Sequence, residues 1–287
     1  MVDIGELLRE QVESQVLPSW CRITLDRSYG GFRLGDISAP AKQLVSQSRM
    51  LWNLAHAHRL GIRPEGCDLL ARATDGYQFL QRHLRDPTHG GYFWRVTRSG
   101  EIDDDVKALY GQAFVIFALV EFSRASRDPV PLHEALTLWR TVMECLHDPR
   151  FGGWTEHASP DWSPPAAGRA APLDLVDHKS ANAHLHWMEA LIELGAETGD
   201  PAVSSSLEEA VDVLSTHFYP PDPRAAQSIV TADWRQMPGS HEAPISLDTM
   251  SSSRGFSCRP STCWDGRPQS ISSCRTSITR WRRVSTR

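Results

Sequence analysis

Residues 177–194 read DHKSANAHLHWMEALIEL, and the spacing predicts one helix over the whole stretch. Asn182 and His186 are four apart and Glu189 is three further on, so all three share one face, with His178 and Glu193 extending the line. Leu185, Met188, Leu191 and Ile192 take much of the remaining girth. A helix that is apolar over most of its circumference is buried. A buried row of Asn, His and Glu must then be either a hydrogen-bonded piece of core or a functional site. The helix alone leaves both readings open.

Composition narrows the class. The 287 residues are 40% hydrophobic and 23% charged, with a net charge of -5, ten Trp and twelve His. That balance suits a globular protein with a carbohydrate or small polar ligand better than a nucleic-acid surface. There is no basic segment followed by an apolar one at the N-terminus and no apolar run long enough to span a bilayer, so the expectation is a cytoplasmic protein without membrane contact. Cys21, Cys67 and Cys145 are widely spaced and form no CxxC pair, so neither a disulfide framework nor a zinc site is expected. His184 lies two residues from His186, as His56 does from His58, and that spacing cannot chelate one metal on a helix. His184 is expected to be packing.

Three segments repeat: DRSYGGF at 26–32, DPTHGGYF at 86–93 and DPRFGGW at 148–154. Each carries an Asp, a short gap, a Gly pair and an aromatic residue. A fixed period near 60 residues marks a repeated supersecondary unit. The filling is helical. Helices are predicted over 4–17 (stopped by Pro18), 41–60, 65–84, 104–126 (opened by the acidic run Asp103–Asp105), 131–146 and 207–218. No longer stretch alternates with period two, so any strands are short and near the Gly-Gly turns. Two helices and one loop per period describe stacked hairpins, either an open solenoid or a closed toroid. Closure takes about six hairpins, roughly 360 to 400 residues at this period.

The character changes after about Ile245. Residues 251–287 hold eight Arg, ten Ser, one Asp and three Cys, with no helical period. LDTMSSSRGFSC can be encoded so that the same bases, read two later, give GHDVEFAWLLL, an amphipathic helical segment. The chain therefore divides into a helical domain over 1–246 and a tail over 247–287 that we read as out of frame and irregular.

With these pieces assembled, the chain resembles the N-acylglucosamine 2-epimerase superfamily, which includes cellobiose 2-epimerases and mannose isomerases. The resemblance runs from about Val12 to Ile245 and rests on the Gly-Gly-aromatic loops, QSRMLWNLAHAHRL at 47–60, KALYGQAFVIFAL at 107–119 and SANAHLHWMEAL at 180–191. The shifted reading of the tail supplies the family's next motif, GHD. The resemblance implies an all-α (α/α)6 barrel, incomplete in this chain, and cofactor-independent proton transfer at carbon 2 of an aldose through an enediol(ate). Arg49 matches an arginine that contacts sugar oxygens, Tyr110 a pocket tyrosine, and Asn182 and His186 the Asn and His of an inner helix, His186 binding and orienting substrate. The proton-transfer histidines belong to GHD and a later helix, so this product is expected to be impaired. The implied partner is a small sugar of the mannose, glucose, N-acylhexosamine or cellobiose type; a homodimer is possible, and no metal or other cofactor is implied.

Other readings stand beside it. Arg49 is compatible with an ordinary ion pair and Tyr110 with a core aromatic. Trp94, Trp154 and Trp162 are candidates to stack on sugar rings, with plain packing expected for at least one. An (α/α) glycoside hydrolase would need paired carboxylates, for which Asp103, Asp104, Asp105 and Asp161 are the candidates. A non-catalytic helical-repeat binding protein would need none of these.

Overall fold

The computed structural model describes residues 3–33, 40–165, 178–220 and 226–236. Asp177, the GHD region and the tail 247–287 lie outside the described residues. Among the described residues eight α-helices carry the fold: α1 (Ile4–Gln11), α2 (Leu17–Ile23), α3 (Leu44–Arg59), α4 (Leu69–Phe79), α5 (Leu109–Ser126), α6 (Val130–Cys145), α7 (Ala181–Thr198) and α8 (Pro201–Val213). Helix α5 packs on α3 at one side and on α7 at the other, while α4, α6 and α8 back α3, α5 and α7 in turn. The result is an inner row of α3, α5 and α7 with an outer row behind it, as the all-α repeat requires. Helix α5 is the middle of the inner row and is buried almost all round, from Leu109 to Ser123.

Strands are short, and each prefaces or follows a loop: β1 (Ala41–Gln43), β2 (Arg95–Thr97), β3 (Ile102–Asp104), β4 (Lys107–Ala108), β5 (His157–Ala158), β6 (His178–Ser180) and β7 (Ile229–Thr231). The strand leading into each inner helix pairs antiparallel with the strand that follows the next loop: β1 with β2, β4 with β5, β6 with β7. The first helical N–H is also given to that neighbour, Leu44 to the Trp94 carbonyl, Leu109 to that of Glu156 and Ala181 to that of Ser228. Adjacent repeats are thereby stitched at the helix N-termini, where backbone donors would otherwise be orphaned.

This stitching corrects several boundaries. The inner helices begin at Leu44, Leu109 and Ala181 rather than at 41, 104 and 177, because the residues before them are spent in strand pairs. The acidic run opens no helix: Asp103 pairs with Arg95, and Asp104 accepts from the Val106 N–H. His178 is in a strand, not on the helical stripe. Pro18 does not stop the first helix. Leu17 donates to the Val12 carbonyl five residues back, a π turn over Val12–Val16, and the proline sits in the opening turn of α2, where its missing donor costs nothing. Helix α4 starts four residues later than expected, at Leu69, and α8 six earlier, at Pro201; both are capped by an aspartate at the preceding position, Asp68 and Asp200. The cysteine expectation is also overturned. Cys21 and Cys67 form a disulfide across 46 residues, joining α2 to the segment before α4; spacing carries no code for a pair that only the fold brings together.

The three Gly-Gly loops are one device. Asp26, Asp86 and Asp148 each accept from the two backbone N–H groups that lie two and three residues on. The Gly pairs adopt positive φ, which an L side chain resists. The chain contains three lysines, Lys42, Lys107 and Lys179, and each is buried with its ammonium on one of these aspartates. Each also donates to a loop carbonyl, that of Gly30, Gly90 or Gly152. A compact ammonium with donors in several directions fits that setting, and a planar guanidinium does not.

Five residues after each lysine stand Gln47, Gln112 and His184. Gln47 and Gln112 each clamp the aromatic residue after the Gly pair, accepting from its N–H and donating to its carbonyl (Phe32 and Tyr92). His184 takes the same seat, with Nε2 accepting from the Trp154 N–H at 3.1 Å and Nδ1 facing the Ser180 carbonyl at 2.8 Å. That pattern fixes the neutral ring protonated at Nδ1. His184 is the packing histidine expected from sequence. Burial pulls its pKa down to about 3, so stability contributed by the neutral ring is complete above the ordinary histidine range and is lost as pH falls from about 6.5 toward 3. Replacing His184 with Gln should lower stability at pH 7 by about 1 kcal/mol or less, since the loop keeps its clamp. Between pH 7 and pH 5 the wild type should lose about 2 kcal/mol more than the variant. Urea denaturation at the two pH values checks this, and an unchanged gap between the proteins would mean the ring is not held neutral.

Candidate functional site

The same count from the lysines organises the inner face. Three residues on are Val45, Tyr110 and Asn182; seven on are Arg49, Phe114 and His186; ten on are Trp52, Phe117 and Glu189; fourteen on are His56, Glu121 and Glu193. Each set forms a tier across α3, α5 and α7. Tiers at three, seven, ten and fourteen share a helical face, whereas the clamp at five lies on another.

The second of these tiers is in contact throughout. The Arg49 guanidinium lies over the Phe114 ring at 4.6 Å, and the Phe114 and His186 rings are 4.7 Å apart. Tyr110 lies beside this row, edge-on to His186 at 5.0 Å and to Phe114 at 5.1 Å, with its hydroxyl 3.5 Å from an Arg49 nitrogen. Trp94, half-buried, has its ring 6.4 Å from that of Tyr110. His186 Nδ1 is 2.6 Å from Glu189 Oε2, which leaves Nε2 as the ring nitrogen for a ligand. Asn182 is one turn toward the helix N-terminus and half-buried, and among the described residues its side chain has no hydrogen-bond partner. Arg49 likewise has no carboxylate at salt-bridge distance among the described residues, and it is exposed. An ordinary ion pair does not describe it.

The floor beyond this cluster is used up. Trp52 stacks on Phe117 at 5.2 Å and on His56 at 4.4 Å. Glu121 is buried between His56 and Arg59, while Arg124 joins it to Glu193 and Glu197. Burial alone would raise the Glu121 pKa, but hydrogen bonds from His56 and Arg59 hold it below the usual carboxylate value. The polar stripe of α7 thus divides: His186 meets the aromatic cluster, Asn182 lies one turn before it on the same face, Glu189 orients His186, and Glu193 is an ion-pair residue.

Two tryptophans leave the candidate set. Trp154 is fully buried against His184 and Trp187, and Trp162 lies on the Gly90–Gly91 loop, its Nε1–H donating to the His89 carbonyl and its ring over the Lys107 ammonium. Trp94 remains beside the site. Phe114 was not singled out from sequence, because an apolar residue in an apolar helix carries no signal; its position seven after a buried lysine would have placed it.

The N-acylglucosamine 2-epimerase (GlcNAc 2-epimerase) family profile matches residues 33–260. The chain belongs to the N-acylglucosamine 2-epimerase family. It is 27% identical over 243 residues to a cellobiose 2-epimerase of Bacteroides fragilis, covering 81% of this chain and 61% of that protein. It is 29% identical over 168 residues to a D-mannose isomerase of Thermobifida fusca, covering 58% of this chain and 35% of that one. The solved structure of a cellobiose 2-epimerase from Spirochaeta thermophila superposes with a TM-score of 0.72 at 31% identity, over 81% of this chain and 58% of that chain. The likeness bears out the all-α barrel fold that the family resemblance implies, of which the chain spans about three-fifths. Among the described residues no helix is long and apolar enough to cross a membrane.

Proposed function

We propose that this family member is a sugar 2-epimerase or aldose–ketose isomerase, and that Arg49, Tyr110, Asn182 and His186 bind the sugar. The observation that carries the reading is the uncommitted Arg49 guanidinium beside the Tyr110 hydroxyl and the Glu189-oriented His186, three inner helices converging in a chain of this family. In the reaction a base removes the C2 proton, the C2–H electron pair forms a C1–C2 double bond, and the carbonyl oxygen becomes an oxyanion. Arg49 and Tyr110 donate to sugar oxygens and favour that developing charge. His186, held through Nδ1, presents Nε2 to a hydroxyl. Return of the proton to the opposite face of C2 gives the epimer, and delivery to C1 gives the ketose. The substrate is a small free sugar of the mannose, N-acylhexosamine or cellobiose type, met in the cytoplasm; a homodimer is the assembly to test.

A hydrolase reading gains no support. Asp103 is paired with Arg95, Asp104 caps the Val106 N–H, and Asp161 accepts from Ser163, while Asp105 has its own partner. The deciding experiment incubates sugar with protein in D2O and follows C2 by NMR. We expect deuterium at C2 of mannose, N-acetylmannosamine or cellobiose from the chain continued in the shifted frame after residue 246, and little or none from the 287-residue chain. Reducing ends released from oligosaccharides, or binding with no exchange in the continued chain, would overturn the reading.

A further inference from the structure

Among the described residues, the buried carboxylates Asp26, Asp86 and Glu121 each have a cation beside them, and Glu156, 2% exposed, has none. Among the described residues the hydrogen-bond partners of its side chain are all on Ser180. The Ser180 hydroxyl lies 2.9 Å from both carboxyl oxygens, and the Ser180 N–H donates to Oε2 at 3.3 Å. Ser180 is also the N-cap of α7, its Oγ accepting from the Ala183 N–H. The Glu156 main chain reaches the other way, its carbonyl accepting from Leu109 N–H, the first of α5. Glu156 therefore holds α5 with its backbone and α7 with its side chain. Internal symmetry places it further. The residue whose carbonyl receives the first N–H of α3 is Trp94, and Trp94 stands beside the Tyr110 ring. Glu156 occupies the corresponding seat one repeat on.

We propose that Glu156 is a positioning residue for the sugar site, holding the first turns of α5 and α7 together as an uncharged acid and releasing that joint as its proton is lost. The proposal rests on the functional reading above only in naming the ligand a sugar. Tyr110 lies in the first turn of α5 and Asn182 in that of α7, so the joint sets whether they face one pocket. Burial pushes the Glu156 carboxyl up to about 7, with the Ser180 hydrogen bonds opposing by less. The charged side chains on the flanking strands are engaged elsewhere, Lys107 with Asp86 and Gly90, Lys179 with Asp148, Gly152 and Ala232. His157 and His178 are the titratable groups adjoining in β5 and β6. The sign follows from a folded value above the unfolded one. The joint is strongest below about pH 4.5, weakens as pH climbs, and is level above about 7.

Hydrogen exchange of segments 107–114 and 178–186, corrected for intrinsic rates, tests it in the whole chain. Protection in both segments should fall together by about 10- to 100-fold from pH 5 to pH 7.5 in the wild type. Glu156→Gln, which keeps the shape without the charge, should show no such fall, and its affinity for mannose or cellobiose should be flat where the wild type's declines. A flat wild-type profile overturns the proposal without needing the variant to fold. So does a variant that follows the wild type, or a response in 178–186 alone, which would reduce Glu156 to a helix-cap partner. Coupled protection with no sugar bound at any pH would support the joint and sink the functional reading instead.

Discussion

Replacing Lys107 with methionine is expected to destabilise the fold by about 3–5 kcal/mol, the range for removing one partner of a buried ion pair. Asp86 is 3% exposed, and Lys107 is its only cationic partner among the described residues. Burial by itself would raise the Asp86 pKa; the Lys107 ammonium and the N–H groups of Thr88 and His89 more than offset it and hold the carboxyl below its usual range. Without the lysine, a carboxylate stays buried on two backbone donors, and the Gly90 carbonyl loses the same ammonium. The charge must then be neutralised or exposed, and either route opens the loop that seats Tyr92 and stitches α3 to α5. The first repeat is an internal control. Asp26 keeps Arg98 when Lys42 is lost, so Lys42→Met should cost visibly less. Equilibrium urea denaturation of the two variants measures both. A Lys107→Met protein within about 1 kcal/mol of wild type would show that the pair is dispensable.

Arg49→Ala should give the opposite split, with stability nearly unchanged and sugar affinity reduced about 10- to 100-fold, the equivalent of one or two lost charge-assisted hydrogen bonds. The guanidinium is exposed and is held by a ring face at 4.6 Å and a long contact to a hydroxyl at 3.5 Å, so little folding energy depends on it. A cation placed over an aromatic face with most of its donors uncommitted is prepared for an oxygen-rich ligand. Lysine at this position should recover only part of the affinity, because a single ammonium cannot reproduce the planar fork. Calorimetric titration with mannose and cellobiose, beside a thermal melt, separates the two effects. Lowered melting with unaltered affinity would make Arg49 a scaffold residue.

What could be read beforehand followed from how far apart the interacting residues lie in the chain. The Gly-Gly loops were legible because an Asp, its turn and its glycines are neighbours, and the repeat then gave the hairpins and the all-α class. The residues of α7 were legible because helical spacing alone aligns Asn182, His186 and Glu189. The buried lysines were not. A lone lysine looks solvated until the fold brings it onto an aspartate 16, 21 or 31 residues before it. Strand pairs of two or three residues leave no periodicity, which is why three helices start later in the structure than their sequence pattern implies. The Cys21–Cys67 bond joins positions that only the packing of α2 beside the segment before α4 makes adjacent. Phe114 belongs with these, since its contact with Arg49 and His186 spans three repeats.

The lysines have one more consequence, for chemistry done on the protein from outside. All three ε-amines of these 287 residues sit beneath glycine loops, so the folded surface offers an acylating reagent or an amine cross-linker no lysine to attack. Modification of an ε-amine can proceed only through molecules in which a loop has come away. The position of the label then says which repeat opened, and its rate says how often, so the covering of these amines turns ordinary amine labelling into a site-by-site clock of loop opening.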